Sequence, residues 1–217
     1  MVLFMSPLFR DWSRLNGKVL YEVKTENKIV GLTIDDGPDP KTTPAILDVL
    51  ARHNARATFF VLANRVDQNE GLLKRMVDEG HELGNHLLED RPSIFHSPDE
   101  FKSRLARAHS LLNRFGEVRW FRPGSGLFSR EMLATIERAN YQAALGSVFP
   151  LDTHIPSSWF ASRYILWRVK PGSVIVLHDT GRRGKRTLET LSIVLPDLIE
   201  RGYRVSTLTE LTASTIA

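Results

Sequence analysis

The sequence predicts an α/β protein organised around a mostly parallel sheet, and three observations carry that prediction. Apolar runs of strand length alternate with helical patterns along the chain. A strand–helix–strand order implies right-handed crossovers between parallel strands. The 217 residues are enough for one sizeable core, with no internal repeat and no linker to divide them. The chain therefore reads as a single domain over 1–217, with its core from about 28 to 211. About seven or eight strands leave two architectures open, a closed barrel or an open doubly wound sheet.

The elements follow in order. "KIVGLTI" (28–34) is a buried strand, and "TTPAILDVLARHN" (42–54) a helix capped by Thr42 or Thr43 with Pro44 in its first turn. "RATFFVL" (56–62) is a strand, "NEGLLKRMVDEG" (69–80) a helix closed by Gly80, and "HELGNH" (81–86) a short strand or its exit. "SPDEFKSRLARAHSLLNRFG" (97–116) has a Ser-Pro start, an acidic first turn and a terminal glycine, the marks of a long amphipathic helix. "VRWFRP" (118–123), "YQAALGSVFP" (141–150), "GSVIVLHD" (172–179) and "YRVSTL" (203–208) are further strands, with helices at 129–140 and 186–202 between them.

Composition narrows the class. A hydrophobic share of 42% and a charged share of 25% are those of an ordinary globular protein. The net charge of +4 is mild, and its one dense cluster, "GRRGKR" (181–186), reads as a solvated loop. No aromatic or helical motif accompanies it to make a nucleic-acid site, although it would favour an anionic substrate. Zero cysteines exclude disulfides and thiolate metal sites. "MVLFMSPLFRDW" lacks the parts of a signal peptide, and no segment approaches ~20 continuous apolar residues. The compartment stays open: cytoplasmic if the chain is complete, secreted or cell-envelope if an export signal was removed. Oligomeric state is not legible.

In either architecture ligand chemistry gathers at the carboxyl ends of the strands. There the chain places Asp35-Asp36, Asn85-His86, Arg122, Asp152 and His178-Asp179. Asp-Gly-Pro-Asp-Pro is good turn chemistry, but a turn needs one acid, not a strand-terminal pair. A dication beside Asp36 would reconcile the two acids, with His86 and Asp90 completing a set of one imidazole and two carboxylates. Alone, His86 would read as a structural histidine and residues 89–91 as a solvated turn. Arg122 would orient a carboxylate with its guanidinium fork, and backbone N–H groups near Ser125 would face an oxyanion. His178, with Asp152 on another strand exit, has the makings of a proton donor tuned by a carboxylate.

Together, "TIDDGPD", "GNHLLED", "FRPGSG" and "VIVLHD", in this order, resemble the polysaccharide deacetylase family, which shares the nodulation-factor deacetylase homology domain (a carbohydrate esterase family 4-like chain). The resemblance runs from Val30 to Leu211. It implies a distorted parallel (β/α) barrel and a metal-dependent hydrolase that removes N- or O-acetyl groups from sugars such as those of chitin or peptidoglycan. It assigns Asp35 as general base, Asp36 and His86 as metal ligands, Arg122 as the residue orienting the base, His178 as general acid, and Leu177 as lining for the acetyl group. Zinc is the first expectation for the metal, with manganese, cobalt or iron as alternatives. Three departures stand out. Asp90 replaces the family's usual second histidine, "RPGS" replaces Arg-Pro-Pro-Tyr, and the usual Asp-Trp segment reads "VFPLDTHIPSSWF". Asp152 is taken as the partner of the acid and Trp159 as a sugar platform. The expected partner is thus an acetylated carbohydrate, not a nucleic acid. Two rival readings remain: a non-catalytic carbohydrate-binding descendant, and a magnesium phosphohydrolase, which would want Asp-x-Asp where this chain has adjacent acids.

Overall fold

A computed structural model describes residues 18–214. The apolar segment over 1–12 lies outside the described residues. Eight strands are present among the described residues: β1 (Val19–Leu20), β2 (Ile29–Asp35), β3 (Thr58–Val61), β4 (Glu82–Asn85), β5 (Trp120–Phe121), β6 (Gln142–Ala144), β7 (Val174–His178) and β8 (Arg204–Ser206). Every pairing between them is parallel, in the order β1-β6-β5-β4-β3-β2-β7, with β8 added to β2. Two bridges, Val148 with Ile175 and Glu22 with Ser173, tie the far end of that path back to β7. They wrap the sheet into a distorted parallel (β/α) barrel and remove the open doubly wound alternative.

The strands β2, β3, β5 and β7 form where β-branched and aromatic residues are concentrated. All seven residues of β2, IVGLTID, are buried, as expected for a strand covered on both faces. The helices are α1 (Thr43–Arg52), α2 (Glu70–Asp78), α3 (Pro98–Leu112), α4 (Arg130–Arg138), α5 (Ser158–Arg168), α6 (Gly181–Glu200) and α7 (Leu208–Ala213). Serine side chains cap three of them: Ser97 accepts from Glu100 N, Ser129 from Met132 N and Ser157 from Phe160 N. Thr207 and Glu210 form a reciprocal capping box on α7. Among the described residues, no helix is long and apolar enough to cross a membrane.

Four expectations need correction. Thr42 does precede α1, but neither threonine caps it. Both hydroxyls donate instead to the buried Asp179 carboxylate, Thr42 at 2.5 Å. Asp179 therefore does not act beside His178; it clasps the start of α1 to the end of β7. Gly184 permits this clasp, because a Cβ there would lie 2.4 Å from Thr42 Oγ1. The "GRRGKR" run is not a loop. It forms the first turns of α6, where Thr180 is extended and Leu191, Val194, Leu195 and Leu198 continue the apolar stripe. The strand expected over 141–150 shrinks to β6, since Gly146 must lie against Val176, whose Cγ2 would be 2.4 Å from a Cβ at that position. Finally, α5 gave no clean helical period, because Trp159 and Trp167 project outward while Ile165 and Leu166 are buried.

Candidate active site

Register places the site. In the parallel ladder Asp35 sits opposite Phe60 on one side and His178 on the other. Val61 opposes Asn85, and Asn85 opposes Phe121. The residues that follow these ends, Asp36, His86 and Arg122, thus emerge on one rim. Four strand exits converge, and Asp152 joins them from the turn beyond β6 and not from a strand end.

Asp35 and Arg122 form a buried ion pair, Nη1 to Oδ1 at 2.5 Å. The same guanidinium donates to Thr33 Oγ1 at 2.8 Å, to Ala144 O at 3.1 Å and to Leu145 O, and its carbon lies 4.1 Å from the centroid of the Phe60 ring. Gly84 leaves room for that ring, since a Cβ there would come within 2.6 Å of it. A guanidinium held by a carboxylate, a hydroxyl, two carbonyls and an aromatic face cannot swing. It fixes one oxygen of Asp35 and leaves the other without a hydrogen bond among the described residues.

Asp36 points elsewhere because its backbone takes a positive φ of 71°. This conformation, uncommon for a non-glycine residue, separates two adjacent acids that would otherwise repel. Its carboxylate is 2% exposed and faces His86 Nε2 at 3.6 Å. His86 is held by its other nitrogen, Nδ1, 2.7 Å from Arg122 O. A carbonyl only accepts, so Nδ1 carries a proton, and Nε2 is the nitrogen turned to the acid. The loop behind it is set by Asn85, whose Oδ1 accepts from Leu87 N at 2.8 Å, with Leu87 at φ 62°. Burial raises the Asp36 pKa; His86 and His178 oppose that, while Asp35 and Asp90 add to it.

His178 Nδ1 lies 3.0 Å from both oxygens of Asp152, which is itself buried and held through its backbone carbonyl by Arg186. Burial alone would lower the His178 pKa. The Asp152 carboxylate overrides it, with help from Asp35 and Asp36, and lifts the imidazole to about 9. The edge of the Phe149 ring packs against it.

The other expected residues fall as follows. Ser125 sits at φ 59° in a tight turn whose flanking amides are engaged, Gly124 N by Ser93 Oγ and Gly126 N by Pro123 O. Leu177 is buried in the core, in register with Ile34. Trp159 is 69% exposed and lines a cavity of about 380 Å³ with Arg182, Lys185 and Arg186; none of Asp35, Asp36, His86 and His178 lines it. Asp90 does not close directly on Asp36 and His86. Arg183 stands between, 3.2 Å from Asp36 Oδ2 and 3.4 Å from Asp90 Oδ2. Accordingly, no three metal-ligating side chains cluster among the described residues. Sequence reasoning missed Arg183, and also Thr33 and Phe60, which brace Arg122. The only signal for Arg183 was the basic run, which gave charge but no direction.

A parallel barrel carrying a carboxylate–guanidinium pair and a carboxylate–imidazole pair on the rim around an acid and a second histidine is an arrangement able to carry out acid–base chemistry. The Polysaccharide deacetylase family profile matches residues 22–144. A peptidoglycan-N-acetylglucosamine deacetylase of Bacillus cereus is 34% identical over 207 residues, 94% of this chain and 97% of the relative. The chain belongs to the polysaccharide deacetylase family. Among solved structures, a peptidoglycan N-acetylglucosamine deacetylase bound to an N-oxidanyl benzamide superposes with a TM-score of 0.86 at 29% identity, over 92% of this chain and 95% of the other. A family 4 acetyl xylan esterase from Clostridium thermocellum, holding a cobalt ion, gives 0.79 at 33% identity over 86% and 91%. A pseudoenzyme of the same family from Bacillus anthracis gives 0.81 at 28% identity over 89% and 68%. Family membership sets the phosphohydrolase reading aside.

Proposed function

We propose that this protein is a metal-dependent hydrolase that removes acetyl groups from the N-acetylated sugars of a polysaccharide of the peptidoglycan or chitin kind. The observation that carries the reading is the placement of a braced base, Asp35 on Arg122, and a charged acid, His178 on Asp152, around the Asp36–His86 pair. The similar deacetylases support the substrate class.

The donor set fits a divalent cation. His86 Nε2 and the buried Asp36 carboxylate face each other at 3.6 Å and together offer a nitrogen and an oxygen donor, and a guanidinium already brings positive charge to Asp36 and Asp90. Asp36 and His86 would hold the metal, with Asp90 joining once free of Arg183. Imidazole and carboxylate donors suit zinc, and equally manganese, cobalt or iron. Bound there, the metal supplies positive charge that polarises the acetyl carbonyl and acidifies water.

The chain's own residues then have separate tasks. The free oxygen of Asp35 takes a proton from the attacking water, whose oxygen bonds to the acetyl carbon. Arg122 keeps that carboxylate aimed. The Ser125 amide faces the carbonyl oxygen as charge builds on it. His178 gives its proton to the sugar nitrogen as the carbon–nitrogen bond breaks, so acetate and a free amine leave. Leu177 backs the acetyl methyl group, and Trp159 offers a ring to a neighbouring sugar.

Two measurements test this. Metal-stripped protein should release no acetate from chitooligosaccharides or peptidoglycan, and zinc, manganese or cobalt should restore release. If no metal does so while the protein still binds the glycan, the non-catalytic reading stands instead; the interposed Arg183 and the similarity to a pseudoenzyme are what favour it. The second concerns pH. A general acid must hold its proton, so kcat should fall as pH rises through about 9. In Asp152→Asn the lifting charge is gone and burial still lowers the imidazole, so this alkaline limb should move to lower pH. An unmoved limb would separate Asp152 from the acid.

A further inference from the structure

Arg183 is the third residue of α6 and its side chain is 35% exposed, yet its Nη1 reaches 3.2 Å from Asp36 Oδ2 and 3.4 Å from Asp90 Oδ2. The two contacts differ in weight. Asp90 is half exposed, and a pair in solvent contributes little. Asp36 is buried, so its carboxylate has little access to water. A buried carboxylate without a cation is strongly destabilising. Asp35 cannot share Arg122 with it, since that guanidinium is committed to Asp35, Thr33 and two carbonyls. Arg183 is therefore the guanidinium paired with Asp36 in this arrangement, at 3.2 Å, while the imidazoles of His86 and His178 also favour the charged acid.

A divalent metal held by Asp36 and His86 would draw on the same carboxylate, and on Asp90. Metal and guanidinium cannot both sit there: like charges about 4 Å apart repel strongly in a partly desolvated site. The side chain also has somewhere to go, because it is already 35% exposed on the first turn of α6 and can turn out to solvent.

We infer that Arg183 is an internal counter-ion that competes with the divalent metal for Asp36 and Asp90. It keeps the metal-free barrel neutral at its rim, weakens metal binding, and swings out when the metal enters. Asp90 is the second anchor that makes this possible, because an imidazole at 90 would accept a guanidinium far less well than a carboxylate does. The inference rests on the metal reading of the site proposed above, and the experiment separates the two.

The full chain, stripped with a chelator, is titrated with Co²⁺ by calorimetry as wild type, Arg183→Gln and Arg183→Lys, and each is melted with and without Co²⁺. Glutamine removes the charge from an exposed turn and should fold. We expect Arg183→Gln to bind Co²⁺ at least tenfold more tightly. Its metal-free melting temperature should fall by about 2–4 °C, the scale of one lost partly buried pair in a chain of this length. Its cobalt-loaded melting temperature should match that of the wild type, and Arg183→Lys should keep the wild-type affinity. Unchanged or weaker Co²⁺ binding by Arg183→Gln would overturn the competition while leaving the metal site intact. A metal-free melting temperature equal to wild type would overturn the counter-ion role. If neither wild type nor variant binds Co²⁺, the metal reading itself falls and the competition with it.

Discussion

Asp35→Asn is expected to slow acetate release by about 10²–10⁴-fold and to leave the barrel folded. The substitution is nearly isosteric, and the amide oxygen still accepts from Arg122 Nη1, now at 2.5 Å from Asp35 Oδ1. The guanidinium also keeps Thr33, the carbonyls of Ala144 and Leu145, and the Phe60 ring. What is lost is an oxygen that can take a proton, because an amide is not a base near neutral pH. Activity should therefore collapse through kcat, with KM little changed, while the melting temperature moves by only a few degrees. Acetate release under saturating chitooligosaccharide and a thermal melt check both halves. Turnover at the wild-type rate would remove Asp35 from the chemistry. Loss of activity together with unfolding would instead make the acid a structural partner of Arg122.

How far the sequence revealed this site depends on the kind of contact. The parallel sheet was legible because apolar runs and helical patterns alternate, and β2 is buried on both faces, so its run is mostly apolar. The rim residues were legible because they stand directly after those runs, and the parallel register then brings Asp35 level with His178. The closure of the ring was not, since it rests on two isolated bridges at Val148 and Glu22 that carry no pattern. The direction of Asp36 was hidden too, because the positive φ falls on the aspartate itself and not on Gly37 beside it. Asp179 shows the opposite failure. It follows His178 in the chain, yet a strand exit turns successive side chains apart, and Thr42 and Thr43 capture it at the start of the helix after the neighbouring strand β2. Its burial raises its pKa to about 6 in spite of those hydroxyls, a pattern that charge patterning along the chain cannot reveal. Arg183 was read only as one charge among several, because sequence gives the sign of a helix face but not which side chain folds inward.

Arg122→Ala should be the most damaging single substitution at the rim, for stability as well as rate. Removing one member of a buried ion pair costs about 3–5 kcal/mol, since the remaining charge is left without a partner. In a chain of this size that corresponds to a fall in melting temperature on the order of 10 °C. Asp35 would be the stranded group, and the carbonyls of Ala144 and Leu145 would lose their donors at the same time. The ring of Phe60 would face a void where the guanidinium lay 4.1 Å from its centroid. His86 is linked to the same residue only through the backbone carbonyl, so its orientation should survive. Lysine at 122 would restore charge without the fork that holds Asp35, Thr33 and both carbonyls at once, so it should recover part of the stability and little of the rate. A double-mutant cycle isolates the charge pair. In an Asp35→Asn background no anion is stranded, and Arg122→Ala should cost clearly less by urea denaturation than it does in the wild type. Equal costs in the two backgrounds would mean that the carbonyls and the Phe60 ring, rather than Asp35, are what this arginine serves.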